Sequence, residues 1–292
     1  MSGILKGKVA IITGANQGFG LAVAQQYLAE GASVAICARN QSLLQSVRED
    51  LLASTSSSQK VFAAGVDVSN PDQVDGFIQE VVSEFGTIDI LVNNAGIYGP
   101  KGEIEAVDWG DWVRAIEINL LGSILVCRAV LPIFKAQGSG RVIQLSGGGA
   151  TNPMPRISAY AVSKAGIVRF VETLAEEVRE FGIDVNAIAP GALNTRLLDE
   201  VLDAGTEKVG QGFYERALKQ KESGGSPMDV GVGLAVFLAS EASRGITGKL
   251  ISAVWDRWED WPFYLNELNK TDIYTLRRIV GRDRGMNWGI SD

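Results

Sequence analysis

The sequence runs to 292 residues, 46% of them hydrophobic, with 27 basic and 34 acidic side chains, a net charge of −7 and no histidine. That length buries one large core, and the missing histidine excludes Ser-His-Asp and Cys-His nucleophiles, histidine-ligated zinc and a histidine general base. The acidic balance argues against a nucleic-acid surface, and two cysteines, Cys37 and Cys127, supply neither a disulfide framework nor a metal cage.

Short apolar runs alternate with helical patterns along most of the chain, the signature of a parallel sheet covered by helices. The first run, Lys8 to Thr13, leads into Gly14, Ala15, Asn16, Gln17, Gly18, Phe19, Gly20 and then a helical stretch. A glycine turn between strand and helix lets the backbone approach a pyrophosphate, which the helix N-terminus attracts. The second run, Ser33 to Ala38, ends at Arg39 and Asn40, with no carboxylate for a ribose 2′-hydroxyl and an arginine able to hold a 2′-phosphate. NADP(H) is therefore favoured, with NAD(H) as the alternative. A serine-rich loop near residue 56 precedes the third run, Val61 to Val68. Asn70 as N-cap, Pro71 at the first position and Gln73 as capping partner open a helix that Gly86 ends, with Val74, Phe77, Ile78, Val81 and Phe85 as its buried stripe.

The fourth run, Ile88 to Asn93, passes into Asn94, Ala95 and Gly96, and a long helix is expected from Asp108 to Ala136. The fifth run, Arg141 to Ser146, is followed by a glycine-rich segment and by Tyr160 and Lys164, four apart on one helical face. A lysine ammonium beside a phenol favours phenolate and lowers its pKa, so tyrosine can serve as acid or base where histidine is absent. Ile167, Val171, Leu174 and Val178 continue that helix as a stripe for the sheet. The sixth run, Asp184 to Ala189, precedes Pro190, Gly191, Ala192, Leu193, Asn194 and Thr195, and the segment from Ala192 to Pro227 is expected to form a lid. The last run, Lys249 to Val254, closes a domain over residues 1–254. The tail, 255–292, holds Trp255, Trp258, Trp261 and Trp288 with four arginines between Arg277 and Arg284. It reads as an aromatic arm packed on the domain or on a second subunit, with a share in the substrate pocket as the alternative.

The turn TGxxxGxG, then NNAG, then Tyr160 and Lys164 as YxxxK, in this order and spacing, resembles the short-chain dehydrogenase/reductase family in its short single-domain branch. The resemblance implies a Rossmann-type doubly wound parallel sheet of about seven strands, α/β/α in three layers, that transfers hydride between a nicotinamide and a carbonyl or secondary alcohol. It makes Tyr160 the acid–base group, Lys164 its pKa-lowering and ribose-holding partner, and Asn119 the support of a proton-relay water. It assigns Asp67 and Val68 to the adenine, and Pro190, Gly191, Leu193 and Thr195 to the nicotinamide side. The family's serine, thirteen positions before the tyrosine, is Gly147 here, with Ser146 one place early. Ser146 is the provisional oxyanion partner; in the other readings the Gly147 to Gly149 backbone takes that role, or the protein is a non-catalytic NADP-binding sensor. A sugar-nucleotide epimerase or dehydratase fits the glycine spacing less well. The implied partners are a small carbonyl or alcohol substrate and further copies of the chain as homodimer or homotetramer. No stretch reads as the roughly 18–20 apolar residues of a membrane span. The setting expected is cytoplasmic, with no metal, membrane or nucleic-acid partner.

Overall fold

The computed structural model describes residues 3–288. Seven strands form one sheet: β1 (Val9–Thr13), β2 (Ser33–Ala38), β3 (Val61–Gly65), β4 (Ile90–Asn93), β5 (Gly140–Leu145), β6 (Ile183–Ala189) and β7 (Leu250–Ser252), in spatial order β3-β2-β1-β4-β5-β6-β7. Every pairing is parallel. The helices are α1 (Gly18–Ala29), α2 (Gln41–Leu52), α3 (Pro71–Phe85), α4 (Trp109–Ile116), α5 (Ser123–Gln137), α6 (Ser158–Val178), α7 (Arg196–Val209), α8 (Gln211–Ser223), α9 (Met228–Ala239) and α10 (Leu265–Lys270).

The strands are apolar on both faces because both faces are covered. Ile12, Val34 and Ile36 join a core with Val23 and Tyr27 of α1, Leu44 of α2 and Leu234 of α9. Their neighbours Ile11, Ala35 and Leu91 point the other way, toward Phe77 of α3, Val130 of α5 and Val171 of α6. The chain runs outward from β1 through β2 to β3 and resumes on the other side of β1 at β4. That reversal opens a crevice at the C-terminal ends of β1 and β4, where such sheets bind ligands.

Several expected boundaries shift. β3 stops at Gly65 because its partner β2 ends at Ala38, opposite it. Asn70 does cap α3, accepting from Gln73 N at 3.1 Å. Gln73 does not return the bond: its side chain accepts from Asp67 N at 2.8 Å, while the Asn70 N–H goes to the Asp67 carbonyl. The expected long helix is continuous but not uniform, since a wide π turn, Glu117–Gly122, joins α4 to α5. By length and composition Trp109–Gln137 could cross a membrane, which corrects the expectation that no stretch could, for only Arg128 is charged between Glu117 and Lys135. Its inward residues Ile118, Val126, Val130 and Phe134 pack in the core.

Beyond β7 the chain returns to the same core. Trp258, Trp261 and Leu268 are buried with α9, and the Trp258 ring lies 5.2 Å from that of Phe237. Leu250 N donates to the Tyr274 carbonyl at 2.9 Å, and Lys249 Nζ donates to the carbonyls of Thr271 and Ile273 at 3.3 and 3.0 Å. The tail thus lies along the outer edge of β7, which would otherwise present unpaired backbone groups.

Candidate active site

One continuous cavity of about 1460 Å³ runs along the C-terminal edge of the sheet, larger than the roughly 300–1,000 Å³ of a site for one small ligand. Gly14, Asn16, Gln17, Gly18, Arg39, Asp67, Val68, Asn94, Ala95 and Gly96 line one part of it, and Gly147, Tyr160, Lys164, Pro190, Gly191, Leu193 and Thr195 line the other.

The glycine turn is built for close approach. Gly14 has φ 65°, and a Cβ there would meet Ala95 Cα at 2.8 Å; one on Gly20 would meet Asn94 Nδ2 at 2.4 Å. Asn94 stitches β4 to β1, its amide donating to the carbonyls of Thr13 and Gly14 at 2.9 and 3.0 Å. Thr13 Oγ1 accepts from the N–H groups of Asn94 and Ala95, each at 3.0 Å. Gln17 precedes α1 without a side-chain cap, so the first N–H groups of the helix face the cavity free of a side-chain partner. Thr195 lies over this turn, its Cγ2 3.7 Å from where a Gly18 Cβ would stand. This cradle suits the pyrophosphate of a nicotinamide dinucleotide.

Other residues assigned to the cofactor take different positions. Arg39 is exposed on the cavity wall and forms no ion pair among the described residues. Asn40 lines the cavity too, but its side-chain oxygen caps α2, accepting from Leu43 N at 3.1 Å and Ser42 Oγ at 2.9 Å. Phe19 offers only backbone, since its ring is buried in the core near Gly231. Burial opposes ionisation of Asp67, but hydrogen bonds from Ser69 and the Arg114 guanidinium outweigh it and hold the carboxyl below its usual range.

At the far end, α6 presents Tyr160 and Lys164. Lys164 Nζ donates to the Leu145 carbonyl at 2.7 Å and stands 5.6 Å from the Tyr160 ring centroid. Burial pulls the lysine down to about 8. The expected lowering of the tyrosine is reversed: burial pushes its phenol up, and the neighbouring Tyr98 phenol adds to this. The physical reason is that both members of the pair are desolvated, so each neutral form gains. Asn119 sits in the π turn, where its Oδ1 accepts from Ile97 N at 2.8 Å. Its Nδ2 donates to Ile97 O at 2.8 Å and to Ser163 Oγ at 3.1 Å. Its side chain therefore braces the loop after β4 and makes no bond to Lys164.

Ser146 and Gly147 both line the cavity but meet it differently. Ser146 continues the ladder, its N–H donating to Ile188 O at 2.8 Å, and its hydroxyl is buried with no hydrogen-bond partner among the described residues. Gly147 is extended, with φ 170° and ψ 178°, so successive positions point to opposite sides. It is Gly147 that faces the tyrosine: a Cβ there would lie 2.8 Å from the Tyr160 hydroxyl.

The structure adds residues that the sequence reading missed. Tyr98, two places beyond Gly96, meets Tyr160 edge-on with centroids 4.7 Å apart. Lys101 pairs with Glu200 of α7 at 3.4 Å. Arg156 binds Glu103 at 2.9 Å and the Glu207 carbonyl at 2.7 Å. The only sequence signal for Tyr98 was its place just after NNAG. Helices α7 and α8 do roof the site, with Leu197, Leu198, Val201 and Phe213 on its wall, and Trp255 and Asp256 of the tail also line it.

The family described as short chain dehydrogenase matches residues 8–205. A 3-oxoacyl-(acyl-carrier-protein) reductase of Chlamydia muridarum is 35% identical over 255 residues, 86% of this chain and 98% of the other. A D-beta-hydroxybutyrate dehydrogenase of Cupriavidus necator is 32% identical over 264 residues, 88% of this chain and 99% of the other. Among solved structures, that of NAD+-bound xylitol dehydrogenase superposes with TM-score 0.77 at 28% identity, covering 85% of this chain and 98% of that one.

Proposed function

The chain belongs to the short-chain dehydrogenase/reductase family, oxidoreductases acting on CH–OH groups, and from that premise we propose that it transfers hydride between NADP(H) and a carbonyl or secondary alcohol with Tyr160 as the acid–base residue. The observation that carries this reading is that one cavity joins the glycine cradle and Arg39 to Tyr160 and Lys164. The bound nicotinamide would supply or accept the hydride. Tyr160 gives its phenol proton to the substrate oxygen in reduction and takes it back in oxidation. Lys164, fixed by the Leu145 carbonyl, holds positive charge beside the phenol and binds the ribose. Ser146 lines the same cavity, but its hydroxyl is buried and unbonded among the described residues, so the backbone N–H groups of Gly147 and Gly148 are assigned to assist Tyr160 at the reacting oxygen.

Arg39 supports NADP(H), because a guanidinium with no ion pair among the described residues, beside the end of β2, suits a 2′-phosphate. NAD(H) is the second reading, supported by the similar xylitol dehydrogenase that holds NAD+. The apolar lid residues, with Asn152, Asn194 and Gln220 on the same wall, suit a ligand with apolar and polar parts. The buried free thiols of Cys37 and Cys127 support a cytoplasmic setting. Exposed Trp109, Leu121 and Val162 support self-association through the α4–α6 face. The test is fluorescence titration with NADPH and NADH, then a carbonyl and alcohol panel with the tighter binder. Tighter NADPH binding with turnover is expected. Equal or tighter NADH binding overturns the Arg39 reading, and tight binding without any turnover replaces the enzyme by an NADP-binding sensor.

A further inference from the structure

The loop after β4 carries an aromatic side chain that the proposed chemistry does not use. The Tyr98 ring meets the Tyr160 ring at 64° with centroids 4.7 Å apart. Lys101 Nζ stands 5.6 Å from the centroid of the Tyr98 ring. Lys101 is paired with Glu200 of the lid at 3.4 Å, the two side chains only 12% and 28% exposed. Tyr98 also packs against the lid's own cluster of Leu198, Val201 and Val209. Contact therefore runs unbroken from lid to Lys101, to Tyr98, to Tyr160.

Tyr160 needs such a support. Among the described residues its hydroxyl forms no protein hydrogen bond; the bond it shares with Ser163 uses its backbone carbonyl, at 2.7 Å. Gly147 gives no side chain to hold it. The ring is kept by its neighbours, with the Gly147 backbone on one side, the Tyr98 ring on another and Lys164 Nζ 5.6 Å from its centroid. Edge-to-face pairs fix ring orientation, not only burial.

We propose that Tyr98 is a positioning residue for Tyr160: its ring holds the acid–base phenol in line, and the Lys101–Glu200 ion pair ties that hold to the seated lid. The proposal rests on Tyr160 as the proton donor. It assigns the loop after β4 a task beyond binding cofactor, and it explains how the site manages with glycine at position 147.

The test compares Tyr98→Phe, Tyr98→Ala and Glu200→Gln in the full chain, with folding checked by circular dichroism. Tyr98→Phe keeps the ring and the wild-type kcat. Tyr98→Ala lowers kcat by about 100-fold, the scale of a misplacement near 1 Å, while NADPH affinity stays unchanged. A second readout needs no turnover: ultraviolet titration of the Tyr160 phenol, taken as the difference from the matching Tyr160→Phe protein. The titratable groups facing it are Lys164 on its own helix and Tyr98, whose ring it meets edge-on, so Tyr98→Ala moves the Tyr160 titration to lower pH as water enters. The Glu200→Gln effect on kcat vanishes in the Tyr98→Ala background. Equal kcat losses in Tyr98→Phe and Tyr98→Ala, or an unmoved Tyr160 titration, overturn the positioning role. Additive losses overturn the lid coupling. If the wild-type protein turns over no substrate, the proposed activity falls while the titration still decides on Tyr98.

Discussion

Two adjacent residues just after β5 meet the site differently. The Ser146 hydroxyl is buried without a hydrogen-bond partner among the described residues, and Gly147 leaves the space that the Tyr160 hydroxyl fills. Ser146→Ala should therefore leave kcat unchanged, since the lost oxygen makes no bond, and steady-state kinetics reads this directly. Gly147→Ser restores the family residue yet should lower kcat by about 10- to 100-fold, because its Cβ must displace the phenol that chemistry needs aligned. A serine variant faster than wild type would reverse the assignment. The pH dependence follows from the same corner. In the free enzyme Lys164, pulled down by burial to about 8, keeps its ammonium below that pH and loses it above, while Tyr160 stays protonated across this range. Reduction needs both protons in place, so kcat/KM for a ketone should be level below about 8 and fall as pH rises through it. A profile still rising there would show that Lys164 acts in its neutral form.

Among the elements, the π turn between α4 and α5 has the clearest structural purpose. It brings the Asn119 amide against the N–H and the carbonyl of Ile97, at 2.8 Å each, so a helix holds a loop much as a neighbouring strand would. Asn119→Ala would leave the part-buried N–H and carbonyl of Ile97 without that partner, at a cost of about 2–6 kcal/mol. Thermal unfolding should show that loss, and kcat should fall as the Asn94–Tyr98 loop loosens; an unchanged melting temperature would argue that water replaces the amide. Local signals sufficed elsewhere. The α3 cap and stripe were legible because Asn70, Pro71 and the apolar spacing act within one helix, and the strand runs because both faces are apolar. Nothing local marks a π turn; what the fold adds is Gly122, its last residue, packed against Val68. Likewise Tyr98, Lys101 and Arg156 gain meaning only when the lid lies over them. The YxxxK pair was readable as chemistry, but the sign of the Tyr160 shift depends on desolvation, which spacing does not report.

For the whole molecule, the tail is where composition alone left two readings, and its residues divide between the core and the cavity wall. Trp258 and Trp261 enter the main core, whereas Trp255 stands exposed on the cavity wall. The stabilising portion runs on to about Leu276, whose N–H donates to Glu172 Oε1 at 2.5 Å, and Arg277, which pairs with Asp272 at 2.9 Å. Beyond it Ile279, Met286 and Trp288 are exposed. Shortening the chain to residues 1–277 should therefore leave thermal stability unchanged. Shortening it to 1–254 removes two buried tryptophans and Leu268 from the core, each tryptophan worth about 3–5 kcal/mol when truncated. Against a net stability of roughly 5–15 kcal/mol, that loss is enough to unfold the domain. It also takes the Tyr274 carbonyl off Leu250 and bares the β7 edge, which favours aggregation by strand addition. Calorimetry and size-exclusion chromatography of the two shortened chains measure both effects. A soluble 1–254 chain with the full melting temperature would mean that the Rossmann-type sheet closes its core without the tail, contrary to the burial of Trp258 and Trp261.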